Sequence, residues 1–169
     1  VTAFTLRDAT NTPTHLVVMV RDITERKRAE QKLQENQQLL QLVMDNIPQS
    51  VFWKDKENLR YMGVNQAFAE DAGFASSQEL VGKDDFDMPW KEQAELYRAD
   101  DQQVLELGEP KLNYEEPQTG PTGQVTWLRT SKIPMRDANG QIFAVLGMYE
   151  DITGQKQLQQ QVQESFERR

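Results

Sequence analysis

Three sets of side chains in this chain could do chemistry: an acidic loop, a pair of strand carboxylates opposite two bases, and a set of aromatic rings. Asp84, Asp85 and Asp87 share one loop, and carboxylates so close together invite a cation. A calcium loop counted from Asp85 needs glycine at its sixth place and glutamate at its twelfth, where the chain has Trp90 and Leu96. The acids are therefore read as turn formers and as negative charge ahead of the next helix, and no metal site is expected. Glu115 and Glu116 lie on one predicted strand, Arg129 and Lys132 on another. Side chains alternate across a sheet, so one of each pair can face the interior, and Glu116 or Arg129 then holds a carboxylate or amine ligand or joins a mutual salt bridge. The rings of Phe52, Trp53, Phe68, Phe86, Trp90, Tyr97, Tyr114 and Trp127 either line a pocket or fill a core. Catalysis has little foothold: there is no glycine-rich phosphate loop and no nucleophile elbow, and the single histidine, His15, offers no phosphotransfer site. Acid/base work by paired carboxylates is the one enzymatic reading left.

The elements that would position these groups follow from periodicity and turn chemistry. Two strands, residues 2–6 and 15–20, flank a turn-rich stretch, and residues 25–47 are helical until Pro48 stops them. Strands follow at 51–54 and 59–64, then a short helix capped by Asn65 and ended at Gly73, and a second helical turn begun by Ser76 and Ser77. A longer helix is expected from Trp90 to Leu107, closed by Gly108. Three strands complete the order at 111–116, 124–136 and 141–150, with turns at 120–123 and 137–140, and another helix begins after Ile152.

Bulk properties narrow the function. The net charge of −8 and a pI near 4.8 argue against a nucleic-acid surface, which needs clustered Lys and Arg. No 18-residue apolar run exists, so no membrane insertion is expected. The absence of cysteine excludes disulfides, thiolate metal sites and any cysteinyl photoadduct, and fits a reducing, cytoplasmic setting or the cytosolic part of a larger sensor. Hydrophobic residues make up 37% and the mean hydropathy is −0.75, but the polar excess is concentrated in residues 25–41 and 154–169. The first residue is Val1, and the chain is expected to be a piece of a longer protein.

Asp22-Ile23-Thr24 recurs as Asp151-Ile152-Thr153, an offset of 151 − 22 = 129 residues that also lays Arg7, Asp8, Ala9 and Met19 on Arg136, Asp137, Ala138 and Met148. A repeat of that length is a whole domain. Residues 1–24 are expected to end a preceding copy, 25–46 to form a linker helix, 47–153 a complete domain and 154–169 the start of a second helix. The linker carries a heptad seam at Arg26, Ala29, Leu33, Asn36, Leu40, Val43 and Ile47, and Ala29, Leu33 and Asn36 map onto Leu158, Val162 and Ser165. Both helices should therefore pair, giving a homodimer. At each junction an Asp or Thr oxygen must take the first orphan amides of a helix. Asp22 and Glu25 have capping-box spacing, whereas Gly154 replaces the glutamate, so the second junction is expected to be the softer. An ion pair from Asp151 to Arg129 or Lys132 is also expected.

Taken in order, these motifs resemble the PAS sensory domains with their C-terminal PAC portion. Phe52-Trp53-Lys54-Asp55 after Asn46-Ile47-Pro48 looks like the family's first strand, and the run Arg60 to Phe68 looks like its second strand and helix start. Gly82-Lys83-Asp84-Asp85-Phe86 resembles the loop before the long helix; Trp127-Leu128-Arg129, the 137–140 turn, Gly147 and Asp151-Ile152-Thr153 resemble the closing strands. The resemblance covers about residues 46–153, with 1–24 like the end of a preceding PAS/PAC domain. It implies an α+β PAS fold, a five-stranded antiparallel sheet with short helices on one face, flanked by N- and C-terminal coiled-coil signalling helices. It further implies a non-catalytic sensory and relay module of a tandem-PAS signalling protein, with the output domain, a histidine kinase or diguanylate cyclase of a two-component system or phosphorelay, in cis. Candidate pocket residues are Trp53, Phe68, Phe86, Trp90, Tyr97, Tyr114, Glu116, Trp127 and Arg129; the relay would be Asp151, Ile152 and Thr153 with Asp22, Ile23 and Thr24. Haem-binding members use a histidine on the long helix, which has none here, and a covalent flavin needs the missing cysteine. A noncovalent flavin or another small molecule stays open, as does a ligand-free dimerisation spacer.

Overall fold

Asn65 shows how local chemistry sets this fold. Its carboxamide oxygen accepts from the Val51 amide at 2.9 Å and the Phe68 amide at 3.1 Å, and its nitrogen donates to the carbonyls of Met44 and Gln49. One fully buried side chain thus uses four hydrogen bonds to lock a helix end, two strands and the helix it caps.

The computed structural model describes residues 1–120 and 122–167; Pro121, in the turn expected at 120–123, and Arg168 and Arg169, at the end of the expected second helix, lie outside the described residues. The chain forms two units, Val1–Leu40 and Gln41–Arg169. The first holds the hairpin β1 (Thr2–Arg7) and β2 (Pro13–Met19) and most of α1 (Thr24–Asp45). The second holds β3 (Ser50–Asp55), β4 (Tyr61–Val64) and α2 (Gln66–Asp71), and then three 3-10 turns at Ser77–Leu80, Asp85–Asp87 and Lys91–Gln93. It continues through α3 (Ala94–Leu107), β5 (Lys111–Thr119), β6 (Val125–Arg136), β7 (Ile142–Asp151) and α4 (Thr153–Glu167). Its five strands pair antiparallel in the order β4-β3-β7-β6-β5, so β7 is central and both chain-order ends of the domain meet beside it. This is the α+β sheet expected of the sequence. The long helix starts at Ala94 rather than Trp90: Trp90 has non-helical backbone, its ring is buried in the core, and the 3-10 turn intervenes. Gly108 closes α3 in the left-handed conformation, φ 67°.

The core lies between the sheet's inner face and α2, the 3-10 turns and α3. Phe52, Tyr61, Phe68, Trp90, Leu128 and Tyr149 form its main cluster, and Leu59, Val104, Leu105 and Val145 a smaller one. Glycines let rings lie flat on the sheet: the Phe52 ring covers Gly147 on one face and the Trp53 ring covers Gly63 on the other, where any added Cβ would collide.

The sequence repeat is also a repeat of geometry. Thr2 pairs with Met19 and Arg7 with Pro13, and at the same offset Ser131 pairs with Met148 and Arg136 with Ile142, each ladder slipping just before its arginine. In each turn the aspartate carboxylate, Asp8 or Asp137, accepts two amides, and the arginine donates to the backbone of Asn11 or Gly140.

The two junctions begin alike: Asp22 accepts from the Thr24 amide and Asp151 from the Thr153 amide, both at 2.8 Å. One expectation fails here. Asp151 makes no ion pair with Arg129 or Lys132 among the described contacts; its carboxylate is spent on the helix start, Arg129 pairs with Glu150 and Glu115, and Lys132 is buried against Asp101. The second junction is also tied to the sheet. Ile152 is buried and its amide donates to the Trp127 carbonyl at 2.8 Å, Thr153 Oγ1 accepts from the Trp127 amide at 2.9 Å, and Lys156 pairs with Glu115.

Gly147→Ala should drive a methyl into the Phe52 ring and cost on the order of 1–3 kcal/mol, read as a lower urea midpoint with an unchanged slope; equal midpoints would show that the ring can move aside.

Candidate functional site

Strand alternation decides which side chains meet inside the sheet. Phe52 and Lys54 on β3, Glu116 and Gln118 on β5, Leu128, Thr130 and Lys132 on β6 and Tyr149 on β7 all point to one face. With Tyr61, Phe68, Asp85, Trp90 and Tyr97 they enclose a cavity of about 30 Å³, room for on the order of two water molecules. Rings make up one side: Phe68 packs edge-on against Trp90 at 5.6 Å and against Tyr149 at 6.0 Å between centroids.

The other end is a buried charge network. Lys54 Nζ lies 2.6 Å from Asp85 Oδ2 and 2.7 Å from Asp101 Oδ2, with both lysine and acids at most 2% exposed. Lys132 Nζ lies 2.6 Å from Asp101 Oδ1, an ion pair rather than a directed hydrogen bond, and donates to the Tyr97 carbonyl at 3.0 Å. The Tyr61 hydroxyl donates to Asp85 Oδ1 at 2.8 Å, and burial together with that carboxylate pushes its pKa well above the usual value. Two ammonium groups and two carboxylates cancel, which is the condition for keeping charge out of water. The network joins β3, the Asp85–Asp87 turn, α3 and β6.

Glu116 stands apart from it. Thr130 Oγ1 donates to Glu116 Oε1 at 2.8 Å, yet burial outweighs that bond and raises the carboxyl's pKa. Tyr149 is likewise raised, first by burial and then by the charge of Asp71, which its hydroxyl reaches at 3.1 Å.

Of the nine pocket residues put forward from sequence, Phe68, Trp90, Tyr97 and Glu116 come together around the cavity, and five lie elsewhere. Trp53, Trp127 and Arg129 are on the opposite face, each next in sequence to an inward residue: Trp53 over Gly63, Trp127 under the Lys156 ammonium, Arg129 bonded to Glu150 at 3.1 Å and to Gln155 at 3.3 Å. Phe86 is half exposed beneath the Arg98 guanidinium, and Tyr114 shares the face of Glu116 but sits beyond the cavity, against Lys111 and Asp100. The acidic loop divides: Asp84 and Asp87 bond backbone amides of their own turn, as expected, whereas Asp85 is not a turn former but the partner of Lys54. Among the described residues no group of three His, Cys, Asp or Glu could hold a metal ion. Lys54, Asp101 and Tyr149 were missed from sequence. The only signal for Lys54 was its position two residues after Phe52, on the same face.

A five-stranded antiparallel sheet closed over one side by short helices, with a small lined cavity between, defines a sensory-domain architecture. The family model described as PAS fold matches residues 44–157, and the chain belongs to that family; it carries a PAS sensory domain. Among solved structures it is similar to VqmA bound to DPO, with 26% identity, a TM-score of 0.59, and 67% of this chain and 57% of that chain covered. It is similar also to the Vibrio cholerae VqmA–ligand–DNA complex, with 26% identity, a TM-score of 0.61, and 68% and 51% covered. The match thus spans little more than half the length of those VqmA chains. The PAS domain of Bordetella pertussis BvgS shares the fold at 19% identity and a TM-score of 0.60, with 80% of this chain and 99% of that chain covered. No curated protein matched.

Lys54→Met should strand two buried aspartates on one lysine and destabilise the domain by about 3–5 kcal/mol, measured by urea unfolding. Glu116 gives a pH test. Its folded pKa lies above the unfolded value near 4.5, so the native state is fully favoured below that value and loses stability as pH rises through the folded one. Glu116→Gln keeps an oxygen for Thr130 and cannot ionise. The variant should melt with the wild type below about pH 4 and higher than the wild type at pH 7.

Proposed function

We propose that this chain is a sensory and relay segment, in which occupancy of the cavity is passed along β7 into α4. The observation that carries this reading is the position of Tyr149: it lines the cavity and stands two residues before Asp151, where the strand hands over to the helix. A displaced Tyr149 moves Asp151 and Ile152, whose bonds to β6 hold the start of α4. Only a few kcal/mol need separate two such arrangements.

The relay would end in paired helices. Leu33, Leu40 and Val43 of α1 and Leu158 and Val162 of α4 are all exposed at heptad spacing, which supports a homodimer through the flanking helices. The common register of the two hairpins supports reading residues 1–24 as the end of a preceding PAS/PAC copy, with 25–46 as linker, 47–153 as the domain and 154–169 as signalling helix. The output domain would lie in cis, a histidine kinase or diguanylate cyclase in a cytoplasmic protein. The VqmA–ligand–DNA complex favours a second output class, a DNA-binding domain, with the acidic segment here contributing no DNA surface of its own. Asp22, Ile23 and Thr24 would be the relay of the earlier copy.

Native mass spectrometry with an absorption spectrum of the freshly purified chain tests the sensing step. A small molecule released on denaturation is expected; a bare mass, with no thermal shift across a metabolite panel, would favour a spacer whose core needs no ligand.

A further inference from the structure

The proposed sensory reading leaves the ligand's chemistry open, and the charges around the cavity narrow it. Among the described residues, the lysines nearest Glu116 are already committed. Lys132 is held by Asp101 at 2.6 Å and Lys54 by Asp85 and Asp101, while Lys111, the next one out, is held by Asp100 at 2.8 Å. An anionic ligand would have to break a buried ion pair to find a counter-charge, which leaves an aspartate unpaired in the core. Among the described residues Glu116 makes no ion pair: Lys132 and Lys111 act on it only from a distance, and its hydrogen bond comes from the Thr130 hydroxyl. Beside it stand the rings of Phe68, Trp90 and Tyr149, and it is the face of such a ring, not its edge, that attracts an ammonium group.

The approach to the cavity carries the same sign. Trp90, Gln118, Leu128 and Tyr149 also line a groove of about 570 Å³ on the domain surface, so groove and cavity adjoin at these four side chains. The described residues around that groove include Glu70, Asp71, Glu150 and Asp151 and no lysine or arginine. A cleft lined by one sign of charge concentrates the opposite ion.

We infer that the cavity takes a small organic ammonium ion, its charge against Glu116 and its alkyl part against Phe68, Trp90 and Tyr149. This rests on the cavity being the sensory site. The chemistry is that of an amine, and formate and methylammonium are probes of opposite charge small enough for the space.

The test is titration of the whole chain with methylammonium chloride, and separately with sodium formate, at matched ionic strength. Backbone-amide spectra of Glu116, Thr130 and Tyr149 are followed. Saturable shifts with methylammonium at roughly millimolar concentration, little response to formate, and at least a tenfold weaker methylammonium response in Glu116→Gln are expected. Equal or tighter binding of formate would overturn the assignment, and so would a response unchanged by the substitution, which marks surface acids instead. No response to methylammonium in the wild type overturns it as well, whatever the variant does. The two readings fail separately. A neutral or acidic molecule found bound in the purified protein leaves a sensor without this ligand class. Methylammonium seated at Glu116 with no change in α4 leaves a binding site without a relay.

Discussion

The structure depends on charge that cannot reach water. Lys54, Asp85, Asp101 and Lys132 lie within 2.6 to 2.7 Å of one another in a chain of ion pairs, and none is more than 2% exposed. Desolvating four charges is costly, and only close mutual geometry offsets it. That requirement fixes the relative positions of a strand, a 3-10 turn, a helix and a second strand, because each contributes one member. Moving the sheet against α3 would separate a buried charge from its partner, a cost that comes on top of lost packing. The Tyr61 hydroxyl on Asp85 and the Tyr97 carbonyl on Lys132 take up further valences.

Because the quartet is electrically closed, what remains in the cavity stands out. Glu116 keeps its proton more readily than a surface glutamate, and the rings of Phe68, Trp90 and Tyr149 leave space beside it. Tyr149 is the link outward. It sits on the central strand β7, between the cavity and the Asp71 carboxylate, and its strand ends in the residues that start α4. The junction is held from the side by the Trp127 backbone, so in the proposed relay a movement of β7 against β6 would reach Ile152 and Thr153.

Local signals made much of this legible in sequence. Asn65 before a short helix, Gly108 after a long one and the repeated Asp-Ile-Thr each report on the few residues around them, and each lies where its chemistry requires. The sequence repeat proved to be a repeat of strand register as well. The site was less legible for two physical reasons. Phe52 and Trp53 are both large and apolar, because Gly147 and Gly63 let both faces of the strand bury a ring, so hydrophobicity could not tell inside from outside. The buried network joins residues 31 and 47 positions apart, and a lysine or an aspartate in isolation reads as surface. The second junction is a related case: Gly154 is a local signal, and the ties from Trp127 and Glu115 come from elsewhere in the chain.

The central claim is that the cavity and the start of α4 are coupled through β7. Amide hydrogen exchange of the Ile152, Thr153 and Lys156 protons, compared between the cavity filled and emptied, addresses it directly, since those amides bond to Trp127, Asp151 and Ile152. The coupling predicts that these amides change their exchange rates with occupancy while those of the β1–β2 hairpin do not. Rates at all three amides that stay the same with the cavity full or empty would contradict it.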